Sequence, residues 1–141
     1  MDIRYELVVD DSNQLSVLYE LLKKRNHGIS HSSMPSFSQH RKFVKSKPYR
    51  AWYIVVSSEI PVGTFYLSNE NVVGINIKDS LIRDLLPDVM SYILKKYKPL
   101  QEIKSVRAAR FICNIPPKNI ILRDTFDQLN QELLQLTYSF E

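Results

Sequence analysis

Cysteine is almost missing from this chain of 141 residues. Cys113 stands alone, so no internal disulfide can form, and a reducing compartment is the natural setting. No apolar run approaches the roughly 20 residues a spanning helix needs. Near the N-terminus Asp2, Arg4, Glu6, Asp10 and Asp11 interrupt any leader-like apolar segment. A cytoplasmic protein without a membrane segment is expected. No Cys/His or His/Glu spacing resembles a metal site, so no metal is expected. No Gly-x-Ser-x-Gly or P-loop is present. Charge of neither sign dominates: the formal net charge is +4 and the isoelectric point about 9.2. The basic residues gather between Lys23 and Arg50, with Lys95, Lys96, Lys98 and Lys104 later. They form neither a dense stripe nor a recognisable motif, which argues against nucleic acid. An anionic small molecule fits this charge at least as well.

What remains is an ordinary globular composition, 44% hydrophobic and 24% charged. The length predicts one domain over residues 1–141, with a core large enough to dispense with disulfides and metal. The run 3–9 reads as a strand. Asp10, Asp11 and Ser12 offer N-cap chemistry to a helix carrying Leu15, Leu18, Leu21 and Leu22 up to Lys24. Asn26 and Gly28 are predicted to end it. After a loop over 29–38, Ser36 caps a short helix through Phe43 and Val44, which Lys47-Pro48 stops. Three strands follow at 51–57, 62–67 and 72–77, joined by short polar turns in an antiparallel meander. A helix over 81–97 comes next. Pro87 suits a first turn, so its start is placed as late as Leu86. The pattern closes with a strand at 110–115, a helix at 119–129 and a last strand at 133–140. The order β-α-α-β-β-β-α-β-α-β predicts an α+β fold. Its sheet is mixed, mostly antiparallel, of about six strands, with helices on both faces.

Two stretches carry a family resemblance: SKPYRAWYIVVSSEIPVGTFYLSNENVVGINI, over 46–77, and RFICNIPPKNIILRDTFDQLNQELLQLTYSF, over 110–140. Together with the order of elements they resemble the GNAT superfamily of acyl-CoA-dependent N-acyltransferases. In feel they are closest to the members that acetylate amino sugars on nucleotide carriers in surface-glycan synthesis. Asn114, Pro117 and Asn119 hold the places of the family pattern Asn-x-x-Pro-x-Asn. The resemblance implies acetyl-CoA as co-substrate and a primary amine as acceptor, with a nucleotide-linked amino sugar as the acceptor class of the members it is closest to. It implies pantetheine pairing with the backbone of the Gly74–Ile77 strand, at Ile75 and Ile77. It also implies contacts to the cofactor from Asn114 and Asn119.

The pyrophosphate turn departs from the family. Members carry Arg/Gln-x-x-Gly-x-Gly/Ala after this strand, where backbone amides at a helix N-terminus bind the dianion. Here Lys78-Asp79-Ser80-Leu81-Ile82-Arg83-Asp84-Leu85 stands instead. There is no glycine, and two carboxylates sit where a dianion would dock. Lys78 and Arg83 are the cations that can offset them. Asp79 and Ser80 also read as plain helix caps. Many members place a tyrosine acid where Phe126 stands. Glu59, His40 and His31 are candidate bases for an attacking amine. Tyr49, Arg50, Trp52 and Tyr53 form an aromatic–basic cluster. Arg50 suits a diphosphate, and the rings suit a base or sugar. Trp52 and Ile54 are expected on one sheet face, Tyr53 and Val55 on the other. Cys113, in an apolar run, reads as inert core. Two functions follow: an N-acetyltransferase, or a GNAT-fold binding or scaffolding protein that has lost CoA. The second predicts a homodimer or hetero-complex through an exposed apolar face.

Overall fold

The computed structural model describes residues 2–25 and 33–140. Four strands, β1 (Ile3–Leu7), β2 (Ala51–Ser57), β3 (Ile60–Leu67) and β4 (Val73–Ile77), form one antiparallel sheet in the order β1-β2-β3-β4. Helices α1 (Ser12–Lys23) and α2 (Phe37–Lys45) lie between β1 and β2 in sequence. Helices α3 (Ile82–Lys96) and α4 (Ile120–Gln128) follow β4.

Alternation along the strands sorts the two faces. Tyr53 and Val55 of β2, Phe65 and Leu67 of β3, and Val73, Ile75 and Ile77 of β4 pack on one face. There they meet Ile82, Leu85, Leu86, Val89 and Ile93 of α3 and Leu122 of α4. These α3 positions repeat at three- and four-residue spacing, which gives one apolar stripe. On the opposite face Ile54 and Val56 meet Leu18, with Val17, Leu21, Val44 and Trp52 packed around them. Helices therefore cover both faces, and the expected division of Trp52 and Ile54 from Tyr53 and Val55 holds. Full burial of side chains such as Leu86 and Val89 stabilises by roughly 1.5–3 kcal/mol each.

Local chemistry explains the boundaries. Asp11 caps α1 by accepting from the Asn13 and Gln14 amides. Ser36 and Gln39 form a reciprocal capping box on α2. The predicted end of α1 at Asn26 and Gly28 lies outside the described residues. The β2–β3 turn is shorter than predicted. Ser57 pairs with Ile60, and Ser58 and Glu59 both take positive φ, 48° and 67°. That is the twist of a two-residue primed hairpin turn, adopted without glycine. Strand β3 consequently starts at Ile60. Pro61 is tolerated because the register shifts between Val55 and Val56.

Three expectations are corrected. Helix α3 starts at Ile82, not Leu86, and holds Pro87 inside it. A 3-10 turn over Asp79–Leu81 leads into it. The sheet has four strands among the described residues rather than about six. The segment 110–115 makes one parallel bridge, Ile112 with Val72, before Pro116-Pro117 ends any ladder. The segment 133–140 forms no strand. No helix of the described residues is long and apolar enough to cross a membrane.

Candidate functional site

The edge of β4 opens where the sheet runs out of partners. The Val73 amide donates to the Ile112 carbonyl at 2.7 Å, and the Ile112 amide donates to the Asn71 carbonyl at 3.0 Å. Backbone groups alternate sides along a strand. The N–H and C=O of Ile75 and Ile77 therefore face the same way as those of Val73. Beyond Ile112 no further bridge continues, so the two segments part and leave this part of β4 unpaired. The opposite side of β4 stays closed by β3, with the register running from Leu67↔Val73 to Gly63↔Ile77.

A cavity of about 460 Å³ adjoins this split. Strands β2, β3 and β4 contribute Trp52, Thr64, Tyr66 and Asn76 from the α1/α2 face. Leu18 and Leu21 of α1, and His40 and Phe43 of α2, close it from above. The cavity continues past Ile75 and Ile77 to Lys78, Asp79, Ile82 and Asn119. One space thus joins the open β4 edge to an aromatic chamber under α1 and α2.

The chamber is built around a flat ring. Tyr66 stacks on Tyr49 with centroids 3.8 Å apart and planes 9° from parallel. Trp52 meets Tyr49 edge-on at 5.0 Å, and Phe43 meets Trp52 at 6.1 Å. Tyr66 lies opposite Gly74 in the register. A Cβ at position 74 would fall 2.0 Å from the Tyr66 ring. The glycine before the turn thus makes room for an aromatic ring and not for a phosphate. Burial pushes the Tyr49 hydroxyl up to about 12 and raises Tyr66, so both are neutral donors at physiological pH. Arg25 stands near both tyrosines, and partial burial lowers its pKa.

His40 is buried, and among the described residues its Nε2 has no hydrogen-bond partner, nor has Nε1 of Trp52. Burial lowers the His40 pKa, partly opposed by a hydrogen bond with the Leu15 backbone. The imidazole is therefore neutral, as a proton acceptor must be. Asn119 is buried and caps α4, accepting from the Leu122 amide at 3.3 Å.

The sequence-predicted residues divide. His40, Tyr49, Trp52, Ile75, Ile77, Lys78 and Asn119 are brought to one cavity. Four are not among its lining residues. Glu59 is exposed at the β2–β3 turn and pairs with Arg4 at 2.8 Å. The Arg50 guanidinium donates to the Lys98 carbonyl at 2.9 Å and covers the Tyr97 ring, which ties it to the end of α3. Arg83 and Asn114 are exposed. His31 lies outside the described residues. Lys78 occupies the N-cap place of the 3-10 turn and makes no side-chain cap bond. Burial pushes the Cys113 thiol up to about 12, which keeps it protonated and inert, as its apolar setting suggested.

Arg25, Thr64, Tyr66 and Asn76 were missed as cavity residues. Period-two alternation could have found three of them. Thr64 and Tyr66 flank the core residue Phe65, and Asn76 separates Ile75 from Ile77, so all three project to the opposite face. Arg25 belongs to the basic stretch that opens at Lys23, and nothing in the sequence singled it out within that stretch.

No protein-family model matches the chain, and no curated protein matches it. Solved structures do. Aminoglycoside N-acetyltransferase AAC(6')-Iy, in complex with CoA, aligns with a TM-score of 0.64 at 12% identity, covering 99% of this chain and 94% of that one. Ribosomal-protein-alanine N-acetyltransferase from Brucella melitensis biovar Abortus 2308 aligns with a TM-score of 0.59 at 11% identity, covering 99% of each chain. A possible acetyltransferase from Clostridium difficile 630 gives 0.57 at 15% identity, covering 99% and 97%. The fold is the one these acetyltransferases share. At these identities the likeness is one of fold, and the chemistry has to be argued from the cavity.

Proposed function

We propose that this GNAT-fold protein transfers an acetyl group from acetyl-CoA to a primary amine. The observation that supports this best is the unpaired stretch of β4 opening onto a single cavity. Pantetheine is an extended chain of amides, and the free N–H and C=O groups of Ile75 and Ile77 offer it the pairing of a sheet edge. The thioester then lies where the split meets the aromatic chamber. A β4 backbone amide donates to the oxyanion as the amine attacks the thioester carbon. The C–N bond forms, the C–S bond breaks, and CoA leaves as a thiolate that takes up the proton the nitrogen sheds. An alkyl thiol ionises near pH 8.5, so the thiolate can leave without an acid, which suits Phe126 in place of a tyrosine. His40 is the candidate base, because its imidazole is neutral and lines the cavity into which the amine would come.

The acceptor reading is an amino sugar, with a nucleotide-linked form favoured. Tyr49, Tyr66 and Trp52 present ring faces and edges to a sugar, and Lys24 and Arg25 stand at the cavity as cations for phosphate. At the other end Lys78 is the cation nearest the CoA pyrophosphate, and Asn119 adjoins the pantetheine.

The glycine-free turn favours a second reading, a binding protein that has lost CoA. Asp79 and Asp84 suit the positive end of α3 by themselves, and that leaves less for a dianion. Calorimetric titration with acetyl-CoA separates the two. A dissociation constant in the micromolar range, followed by thiol release with amino-sugar acceptors, is the expected result. No heat and no thermal shift at millimolar acetyl-CoA would reject the transferase.

A further inference from the structure

One stretch of the roof over the chamber carries charge of a single sign. Between Glu20 and Glu59 the sequence holds no aspartate or glutamate, while lysine and arginine recur from Lys23 to Arg50. In sequence these cations are scattered, but α2 gathers three of them. His40 is buried and Val44 packs toward the sheet. Arg41 and Lys45 stand four residues apart, and Lys42 and Lys45 three apart, so the three share one exposed flank. Ion pairs among the described residues join Arg4 to Glu59 and Lys23 to Glu20, and none reaches this flank. Like charges at helical spacing weaken a helix, and no carboxylate of the stretch relieves them. At the end of α1, Lys24 and Arg25 carry the positive surface to the cavity, which Gln39 and Phe43 of α2 also line.

Apolar side chains stand beside the cations. Met34 and Phe37, at the start of α2, are each 42% exposed. Phe37 lies four residues before Arg41 and so shares its flank. Its ring rests edge-on against Tyr19, which holds it in place while part of it meets solvent. Nucleic acid supplies phosphates for the cations and bases that stack on a ring, but Met34 offers no stacking face. An anionic bilayer supplies headgroup charge for the cations and an acyl boundary for both apolar side chains.

We propose that α2 and the end of α1 dock this protein on an anionic bilayer surface. Arg41, Lys42 and Lys45 lie at the headgroups, and Met34 and Phe37 reach the acyl boundary. Each basic residue near such a surface adds about fivefold to the affinity. The three on α2 together therefore contribute on the order of 100-fold. Docking of this kind brings the cavity mouth beside Lys24 and Arg25 to the membrane. It concerns where the protein sits, and it stands whether or not acetyl-CoA binds.

The test is co-sedimentation of the full chain with two kinds of vesicle. One is phosphatidylcholine alone, and the other is phosphatidylcholine and phosphatidylglycerol in equal parts. A parallel titration uses poly(U) RNA. Wild type is expected to bind the mixed vesicles, to ignore the neutral ones, and to lose binding as salt is raised. Lys42→Gln combined with Lys45→Gln is expected to weaken binding about 25-fold. Lys95→Gln combined with Lys104→Gln removes the same charge outside the acid-free stretch, and should change binding less than about threefold. All four lysines are exposed, so unchanged Tm values are expected and serve as the control for folding. Equal losses for the two pairs would reduce the effect to net charge. Tighter binding to poly(U) than to mixed vesicles would make the surface a nucleic-acid site. Equal binding to both vesicle types would leave the cations no part in it, and no binding to the mixed vesicles would leave the flank merely solvated. Each of these four results overturns the docking.

Discussion

Replacing Gly74 by alanine isolates the contact that shapes the chamber. The added Cβ would lie 2.0 Å from one Tyr66 ring atom and 2.2 Å from the next, well inside any van der Waals contact. The ring cannot lift freely, because Tyr49 is stacked on it at 3.8 Å. Either the stack breaks or the β3–β4 pairing shifts. Overpacking of this kind costs typically 1–3 kcal/mol, and losing an aromatic pair adds about 0.5–1.5 kcal/mol. A loss of about 2–3 kcal/mol is expected, or roughly 8 °C in Tm for a domain of this length. The assay is a double-mutant cycle by urea denaturation: Gly74→Ala, Tyr66→Ala, and both together. With the ring gone, Gly74→Ala should cost under about 0.5 kcal/mol, and its ordinary strand propensity could even make it favourable. Equal cost in both backgrounds would refute the reasoning, because the penalty would then come from the backbone at 74 and not from the Tyr66 ring.

Asn71 should matter almost as much, although it lies away from the cavity. It is 1% exposed, donates to the Leu100 and Ala108 carbonyls, accepts from the Leu100 amide, and holds φ 64°. Asn71→Ala is expected to cost about 3 kcal/mol, since it leaves buried backbone groups unpaired; a urea midpoint unchanged from wild type would contradict this. His40 predicts a pH dependence of stability. Its folded pKa lies below the unfolded value of about 6.5. The unfolded chain therefore binds the proton first, and stability falls as pH drops below about 6.5. His40→Gln should flatten that part of the curve, and parallel profiles for the two proteins would exclude a depressed His40. Asn119→Ala, which removes the cap of α4, should cost about 1 kcal/mol and show as a lower Tm; no change would mean the cap bond contributes nothing.

The parts of the fold that the sequence disclosed are those fixed by periodicity. The Leu85, Val89, Ile93 stripe announced α3, and the alternation in 51–57 assigned each side chain of β2 to its face. Caps were legible at Asp11 and Ser36 because the side chain that makes the bond is local. What failed was partnership. The composition of 110–115 and 133–140 suits strands, but strand formation needs a neighbour. Ile112 has one for a single bridge, and 133–140 has none among the described residues. Boundaries failed for a different reason. A proline inside a helix removes a single donor, which α3 tolerates at Pro87 while burying Leu85, Leu86 and Val89 around it.

The site divides along the same line. His40, Tyr49 and Trp52 could be named because unusual residues clustered in a short span, yet Arg50 belongs to the same span and turns to Lys98. Alternation does not explain this, because it would put positions 50 and 52 on one face and 49 on the other; Tyr49 and Arg50 precede β2, and there the chain brings Tyr49 against Trp52 and ties Arg50 to the end of α3. The β4–α3 junction shows the deeper limit. Missing glycines suggested a broken phosphate cradle, because glycine is read as licence for close approach. The structure puts Gly74 to another use, under Tyr66, and builds the junction as a 3-10 turn whose amides need no positive φ. A turn of that kind can still present N–H groups at a helix start, so the lack of glycine does not by itself remove an anion site. What opposes a dianion there is the charge of Asp79 and Asp84. Charge, unlike backbone shape, is testable by salt: if acetyl-CoA binds against these carboxylates, its affinity should fall less steeply with ionic strength than a site cradled by cations alone would allow, and a steep fall would assign the pyrophosphate to Lys78 and Arg83 instead.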